Sequence, residues 1–404
     1  MQFLHALVVH ATWQLAFTER YSGKQAAALV PASPAAAPPL AVPTFIPRMP
    51  PSLVSTEREP LTLAYVYAGR APLLDLLFRH IFSDLHAGIL DELHIWDLCR
   101  STGDADYLHA LMSQRLPKVF LGQDPEKSSW FPLKNYMYIM SWYAHALQPT
   151  DIILKLDDDV VYMVGLDRLV QTARTRPDIG VLFPNIVNND VGAAWQLHDG
   201  MLSEADLLQC HPKVVEHLML PPLQKGPSID TSTTICSGVG QVPLTGWIKP
   251  AWFQDPGCAN AAFAKFLANP ENFKQDLLHV WHHNRTSINV FAMTGASFRQ
   301  LAALTTTCHG EDEAALAWSN MTRGMLMDAV AVHYGFDAQA ATGELINVGN
   351  FQRLAPPRGQ LPDPSAYDYR WHHPSTQGVM IISVLTAMVM VGSCFRKHAD
   401  QGIL

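Results

Sequence analysis

From Leu61 onward the chain alternates short apolar runs with longer segments of helical periodicity. "LTLAYVYAGR" is an apolar, aromatic run closed by Gly69 and Arg70. Pro72 then opens a segment in which Leu73, Leu74, Leu76, Leu77, Ile81 and Leu85 recur at helix spacing. This predicts a strand, a turn and a helix. "ELHIWDL" gives a second short strand, "KVFLG" a third, and "KNYMYIMSWYAHAL" a helix that leads directly into "DIILKL". Strands alternating with helices over this length predict an α/β fold, with a mostly parallel sheet, helices on both faces and ligands bound beyond the carboxyl ends of the strands.

The pattern changes toward both ends. Residues 1–25 are largely apolar, a candidate signal segment, but they include His5 and His10 and carry no basic residue ahead of Glu19. Residues 26–58 are rich in proline and alanine; the prolines forbid a continuous helix or ladder, so this stretch reads as a semi-extended spacer. The folded domain is expected over 59–360 and a juxtamembrane linker over 361–376. Within 377–395, "GVMIISVLTAMVMVGSCF" (Gly378 to Phe395) is uncharged, just long enough to cross a bilayer, and followed by Arg396, Lys397 and His398 in the tail 396–404. It reads as a C-terminal transmembrane helix with a cytosolic basic flank, or alternatively as a buried final helix.

Composition narrows the function classes. With 404 residues and 48% hydrophobic content the chain can bury a large core, and a net charge of −8 without any Lys/Arg-rich block argues against a nucleic-acid partner. The cysteines Cys99, Cys210, Cys236, Cys258, Cys308 and Cys394 show no C-x-x-C spacing, which disfavours a zinc site and leaves disulfides open.

The chemistry concentrates in "DIILKLDDDVVYM", where Asp157, Asp158 and Asp159 interrupt two apolar runs. Buried carboxylates need compensation, and a cation is the usual source. If the backbone stays extended, Asp157 and Asp159 point to one side and Asp158 to the other. Two carboxylates on one side make half of a divalent site, and oxygen ligation suits Mg²⁺ or Mn²⁺ completed by phosphate oxygens. Lys155, two residues upstream, offers a competing way to balance the charge from within the sheet.

This stretch resembles the D-x-D strand end of GT-A glycosyltransferases, which bind a nucleotide sugar through a metal. "AYVYAGR" resembles their first strand and nucleotide-binding turn, and "DELHIWDLCRSTGDADYL" their second strand with its polar end. "VLFPNIVNNDV", "RTSINVFAM" and "GEDEAALAW…GMLMDAVAVHYGF" resemble later blocks of a group of such enzymes from microbes, fungi and algae. The resemblance covers about Leu61 to Phe336 and is patchy between Gly192 and Asp276. It implies a GT-A, Rossmann-like fold and transfer of a sugar from a nucleotide sugar, most often a UDP-sugar, to a hydroxyl of a carbohydrate or glycoconjugate, with Mn²⁺ or Mg²⁺ as cofactor. It further implies metal ligation by Asp157, Asp159 and His333, and donor contacts from Asp157, Asp158, Arg70 and Asp97. Locally, His333 also reads as a core residue after an apolar strand, and Arg70 as a surface arginine at a helix start.

In "GEDEAALAW", Asp312 and then Glu313 are the expected catalytic carboxylates, facing the anomeric carbon or the acceptor hydroxyl. The same acidic run also suits the first turn of a helix. Trp247, Trp252 and Trp281 are either acceptor platforms or core residues. Asn284-Arg-Thr and Asn320-Met-Thr are glycosylation sequons if the domain is luminal. The family habit implies a single-pass membrane protein of the Golgi or secretory pathway; a tail-anchored protein facing the cytosol is the other topology. Two other function classes stay open: a metal-dependent phosphohydrolase, for which "DDDVV" is a partial D-x-D-x-[TV] match, and a membrane-tethered sugar-binding or scaffold protein without turnover.

Overall fold

The computed structural model describes residue 53 and residues 58–99, 101–122, 132–219, 252–282, 289–307, 316, 319, 321–335 and 337–367. The elements run β1 (Thr62–Ala68), α1 (Ala71–His86), β2 (Glu92–Asp97), α2 (Thr102–Ser113), β3 (Val119–Gly122), α3 (Pro132–Ala146), β4 (Ile152–Leu156), β5 (Val160–Val164), α4 (Leu166–Thr175) and β6 (Val181–Val187). There follow α5 (Asp190–His198), α6 (Pro212–Met219), α7 (Pro256–Ala268), β7 (Leu278–Trp281), β8 (Val290–Thr294), α8 (Gly295–Thr307), β9 (Arg323–His333) and α9 (Asp337–Thr342), with short 3₁₀ turns between some of them. The strands β1 to β4 and the helices α1 and α3 fall where the hydrophobic pattern puts them; α2 is not among the expected elements.

All nine strands join one sheet of order β3-β2-β1-β4-β8-β6-β9-β5, with β7 also on β9. The β3, β2, β1 and β4 strands are mutually parallel. Because β8 runs antiparallel to both β4 and β6, β6 and its parallel neighbour β9 share the direction of β4; β5 and β7 are antiparallel. The sheet is therefore mixed and mostly parallel, and its two faces are both buried. Along β1, Leu63, Tyr65 and Tyr67 enter one core with α3, α7 and α8, while Ala64, Val66 and Ala68 enter the other with α1, α2 and α4. Among the described residues no helix is long and apolar enough to cross a membrane. The segments 1–25, 26–52 and 377–404, on which the signal, spacer and anchor expectations rest, lie outside the described residues.

The domain is tied at its margins by charge. Arg58 donates to both oxygens of Asp151, at 2.7 and 2.5 Å, at the start of β4. Near the other end Arg358 reaches Asp75 on α1 at 3.2 Å and Asp363 at 3.0 Å.

One irregularity shapes the functional edge. β6 and β8 pair only at Leu182 and Ala292, so their pairing stops short of the carboxyl edge. The β4–β5 turn crosses there: the Asp157 amide donates to the Asn289 carbonyl before β8, and the Tyr334 amide after β9 donates to the Asp159 carbonyl.

Candidate active site

The carboxyl ends of β1, β4, β6 and β9 lie on this edge and deliver Arg70, the three aspartates, Asn188 and His333 to it. Asn289 arrives from the opposite direction, at the start of antiparallel β8. The extended alternation expected for the aspartates does not occur, because the chain turns at Asp158 and Asp159. The Val160 amide closes that turn on the Asp157 carbonyl. As a result Asp158 and Asp159 come together and Asp157 stands apart.

Arg70 Nη1 donates to Asp158 Oδ1 at 2.9 Å and to Asp159 Oδ2 at 2.5 Å. His333 Nε2 lies 3.2 Å from the same Asp159 Oδ2. All four side chains are buried, His333 to 1% exposure, so the local reading of that histidine as a core residue holds, and it also touches the aspartate. Burial pulls the Asp159 carboxyl upward, but His333 and then Arg70 outweigh it and hold the group well below the usual carboxylate range. The remaining oxygen, Asp159 Oδ1, is buried without a hydrogen-bond partner among the described residues. A buried acceptor in that state costs free energy unless something binds it.

Asp157 has different company. Lys155 Nζ sits 2.9 Å from its Oδ1, and Asn289 Nδ2 donates to Oδ2 at 3.2 Å. Lys155 is itself buried within β4, its ammonium 5.9 Å from the ring centres of both Tyr67 and Phe291. The lysine thus balances Asp157 from within the sheet, as its position in the sequence allows. Among the described residues the three carboxylates thus meet Arg70, Lys155 and the His333 ring.

Local structure explains why these groups are placed so well. Arg70 is the residue at which α1 begins: its carbonyl accepts the Leu73 and Leu74 amides, and Pro72 occupies the first turn where its missing N–H is harmless. The Ala71 amide is satisfied from α2 by Asp104, which Ser101 holds in turn. Behind His333, Asn188 adopts φ +65°, a left-handed conformation that asparagine tolerates better than most residues. Its Nδ2 donates to the His333 carbonyl at 3.1 Å and to Gln339 Oε1 at 3.1 Å. Its Oδ1 accepts from Trp252 Nε1 at 3.0 Å and Gln339 Nε2 at 3.1 Å. Trp252 is therefore a buried hydrogen-bonding core residue; Trp281 is also buried, and neither offers a face to an acceptor. Trp247 lies outside the described residues.

Of the other expected site residues, Asp97 ends β2 on the same edge and accepts the Cys99 amide at 3.3 Å. Asp312 and Glu313 lie outside the described residues. Asn188 and Asn289 were not singled out by sequence reasoning, although both fall within the quoted blocks "VLFPNIVNNDV" and "RTSINVFAM". A local signal for their roles is lacking, since what each asparagine does depends on strands distant in sequence.

One covalent link stands near this edge. Cys210, before α6, and Cys258, in the first turn of α7, form a disulfide with Cα atoms 4.5 Å apart. Asp255 lies beside them and could complete a metal-binding trio with two thiolates. Its oxygens are committed elsewhere: Oδ1 accepts the Gly257 and Cys258 amides and Oδ2 the His211 amide, capping α7. The chain matches no protein-family model and no curated protein.

Proposed function

We propose that the protein is a metal-dependent glycosyltransferase of GT-A type, acting on a nucleotide sugar of the UDP-sugar class and a hydroxyl acceptor. The observation that carries this reading is the meeting of Asp158 and Asp159 on Arg70, and of His333 on Asp159, at the carboxyl edge of a mostly parallel sheet, with one Asp159 oxygen buried and without a hydrogen-bond partner among the described residues. Carboxylate oxygens beside an imidazole fit a hard divalent cation such as Mn²⁺ or Mg²⁺. Asp159 and His333 would hold it with Asp158 beside them, while Lys155 and Asn289 keep Asp157 oriented at the rim. Bound there, such an ion would offset the charge that builds on a departing diphosphate. Arg70 supplies a guanidinium suited to phosphate oxygens, and Asp97, at the end of β2, is the candidate contact for the nucleoside.

A luminal orientation in the secretory pathway, with the 377–395 run as membrane anchor, is part of the same proposal. The Cys210–Cys258 disulfide supports it, since such bonds persist in oxidising compartments.

The test is release of nucleoside diphosphate from a panel of nucleotide sugars by the purified chain, with Mn²⁺, with Mg²⁺ and with chelator. We expect metal-dependent release from one donor, reduced at least about 100-fold in Asp159→Ala, in line with removal of an electrostatic catalyst. Phosphate release from simple esters instead would favour a phosphohydrolase. Donor binding without release would favour a sugar-binding protein.

A further inference from the structure

We propose that Arg70 is an internal stand-in cation: its guanidinium holds Asp158 and Asp159 until a divalent ion takes them, then turns to the anionic ligand, so that metal and diphosphate each strengthen the other's binding. This rests on the metal-dependent reading given above.

The geometry behind it is specific. One nitrogen, Nη1, bridges two carboxylates of adjacent residues at 2.9 and 2.5 Å, which is the relation a shared cation has to the two groups it neutralises. Arg70 is the group that joins Asp158 to Asp159, while Lys155 is engaged by Asp157 and His333 meets Asp159 alone among the described residues of this cluster. Arg70 therefore makes the metal-free cluster tolerable in a buried setting. It does not saturate it, because Asp159 Oδ1 stays without a hydrogen-bond partner among the described residues. The carboxylates retain capacity for a ligand of higher charge.

The Arg70 backbone is fixed as the start of α1 through the Leu73 and Leu74 amides, whereas the charge sits at the end of a long side chain that is 10% exposed. When a divalent ion replaces the guanidinium at the two aspartates, the local charge rises by two and a positive group is released into the same space. A polyanion then meets both. Because such coupling is a property of the two equilibria, it acts equally in both directions.

The experiment is a Mn²⁺ titration of the full-length chain by electron paramagnetic resonance, with and without UDP as the diphosphate probe. For the wild type we expect UDP to tighten Mn²⁺ binding at least about tenfold, within the usual range of coupling. Arg70→Gln should bind Mn²⁺ alone about tenfold more tightly than wild type and lose most of the UDP effect, as expected for a lost competitor with coupling of that size. Arg70→Lys, which keeps a competing charge, should stay near wild type in Mn²⁺ alone. A gain in affinity is a result that damage to the fold does not produce.

If the wild type binds Mn²⁺ and Arg70→Gln binds it equally or more weakly, the stand-in role is overturned and the metal-dependent reading stands. If the wild type takes up no Mn²⁺ at any UDP concentration, the metal reading fails and this proposal with it. A second measurement needs no variant: phenylglyoxal labelling of Arg70 in the wild type, mapped by mass spectrometry, should rise when Mg²⁺ is added and fall again with Mg²⁺ and UDP together. Labelling that ignores Mg²⁺ overturns the proposal.

Discussion

Lys155 stands inside the sheet and is charged, which a β-strand core permits only with a partner. Among the described residues it pairs with Asp157, and the rings of Tyr67 and Phe291 lie 5.9 Å from its ammonium. Breaking a fully buried ion pair from one side costs about 3–5 kcal/mol. Asp157 keeps 21% side-chain exposure and a hydrogen bond from Asn289, so water can partly replace the ammonium. Lys155→Met should therefore lower unfolding free energy by about 1–3 kcal/mol, the penalty of an incompletely buried polar group left unpaired. Adding Asp157→Asn to it should recover most of that loss, because the double variant contains no orphan charge. Urea denaturation of the four proteins measures this; equal losses in single and double variants would mean that the pair does not stabilise the fold.

At the scale of elements, α1 carries two titrations of opposite sign. Burial, and secondarily Arg79, lowers His80 from 6.5 to about 4; burial, and secondarily Asp167, raises Asp84 from 3.8 to about 7. Between about pH 4 and 6.5 the unfolded chain binds a proton at His80 that the folded chain does not, so this site alone makes stability rise with pH. Over nearly the same window the folded chain holds a proton on Asp84 that the unfolded chain has lost, so that site alone makes stability fall as pH rises. The two slopes, each about 1.4 kcal/mol per pH unit, nearly cancel. His80→Phe should leave a stability that declines as pH rises through the window, and Asp84→Asn one that increases. Thermal unfolding between pH 4 and 6.5 reads both, and parallel profiles for the two variants would exclude this pairing. The helix itself was legible in the sequence from Pro72 and the leucine spacing, as were β1 to β4 and the edge at which the aspartates stand. The turn at Asp158 and Asp159 was not, because it answers to the Asn289 carbonyl and the Tyr334 amide, contacts between residues more than 100 positions apart. Alternation along a strand is local physics; where the strand stops is decided by its neighbours.

For the molecule as a whole, the Cys210–Cys258 bond joins the segment before α6 to α7 across 48 residues, a pairing that no cysteine spacing announced. Its surroundings connect it to the candidate site. Asp255, which caps α7 next to Cys258, also receives Gln339 Nε2 on its carbonyl at 3.4 Å; Gln339 pairs with Asn188, and Asn188 grips the carbonyl of His333. A closed loop of that length restricts the unfolded chain enough to favour folding by about 2–4 kcal/mol. Two consequences separate a disulfide from the thiolate metal site that Cys210, Asp255 and Cys258 could otherwise form. Non-reducing peptide mapping of the native protein should find the two cysteines in one linked peptide, and Cys258→Ser should lower unfolding free energy by about the stated amount whether or not chelator is present. Free thiols together with a chelator-sensitive stability would reverse the assignment and remove the main support for a catalytic face in an oxidising compartment. If the mapping finds the bond, reducing it should weaken the proposed Mn²⁺ binding as well as the fold, because the hydrogen bonds from Asp255 through Gln339 and Asn188 connect it to the carbonyl of His333.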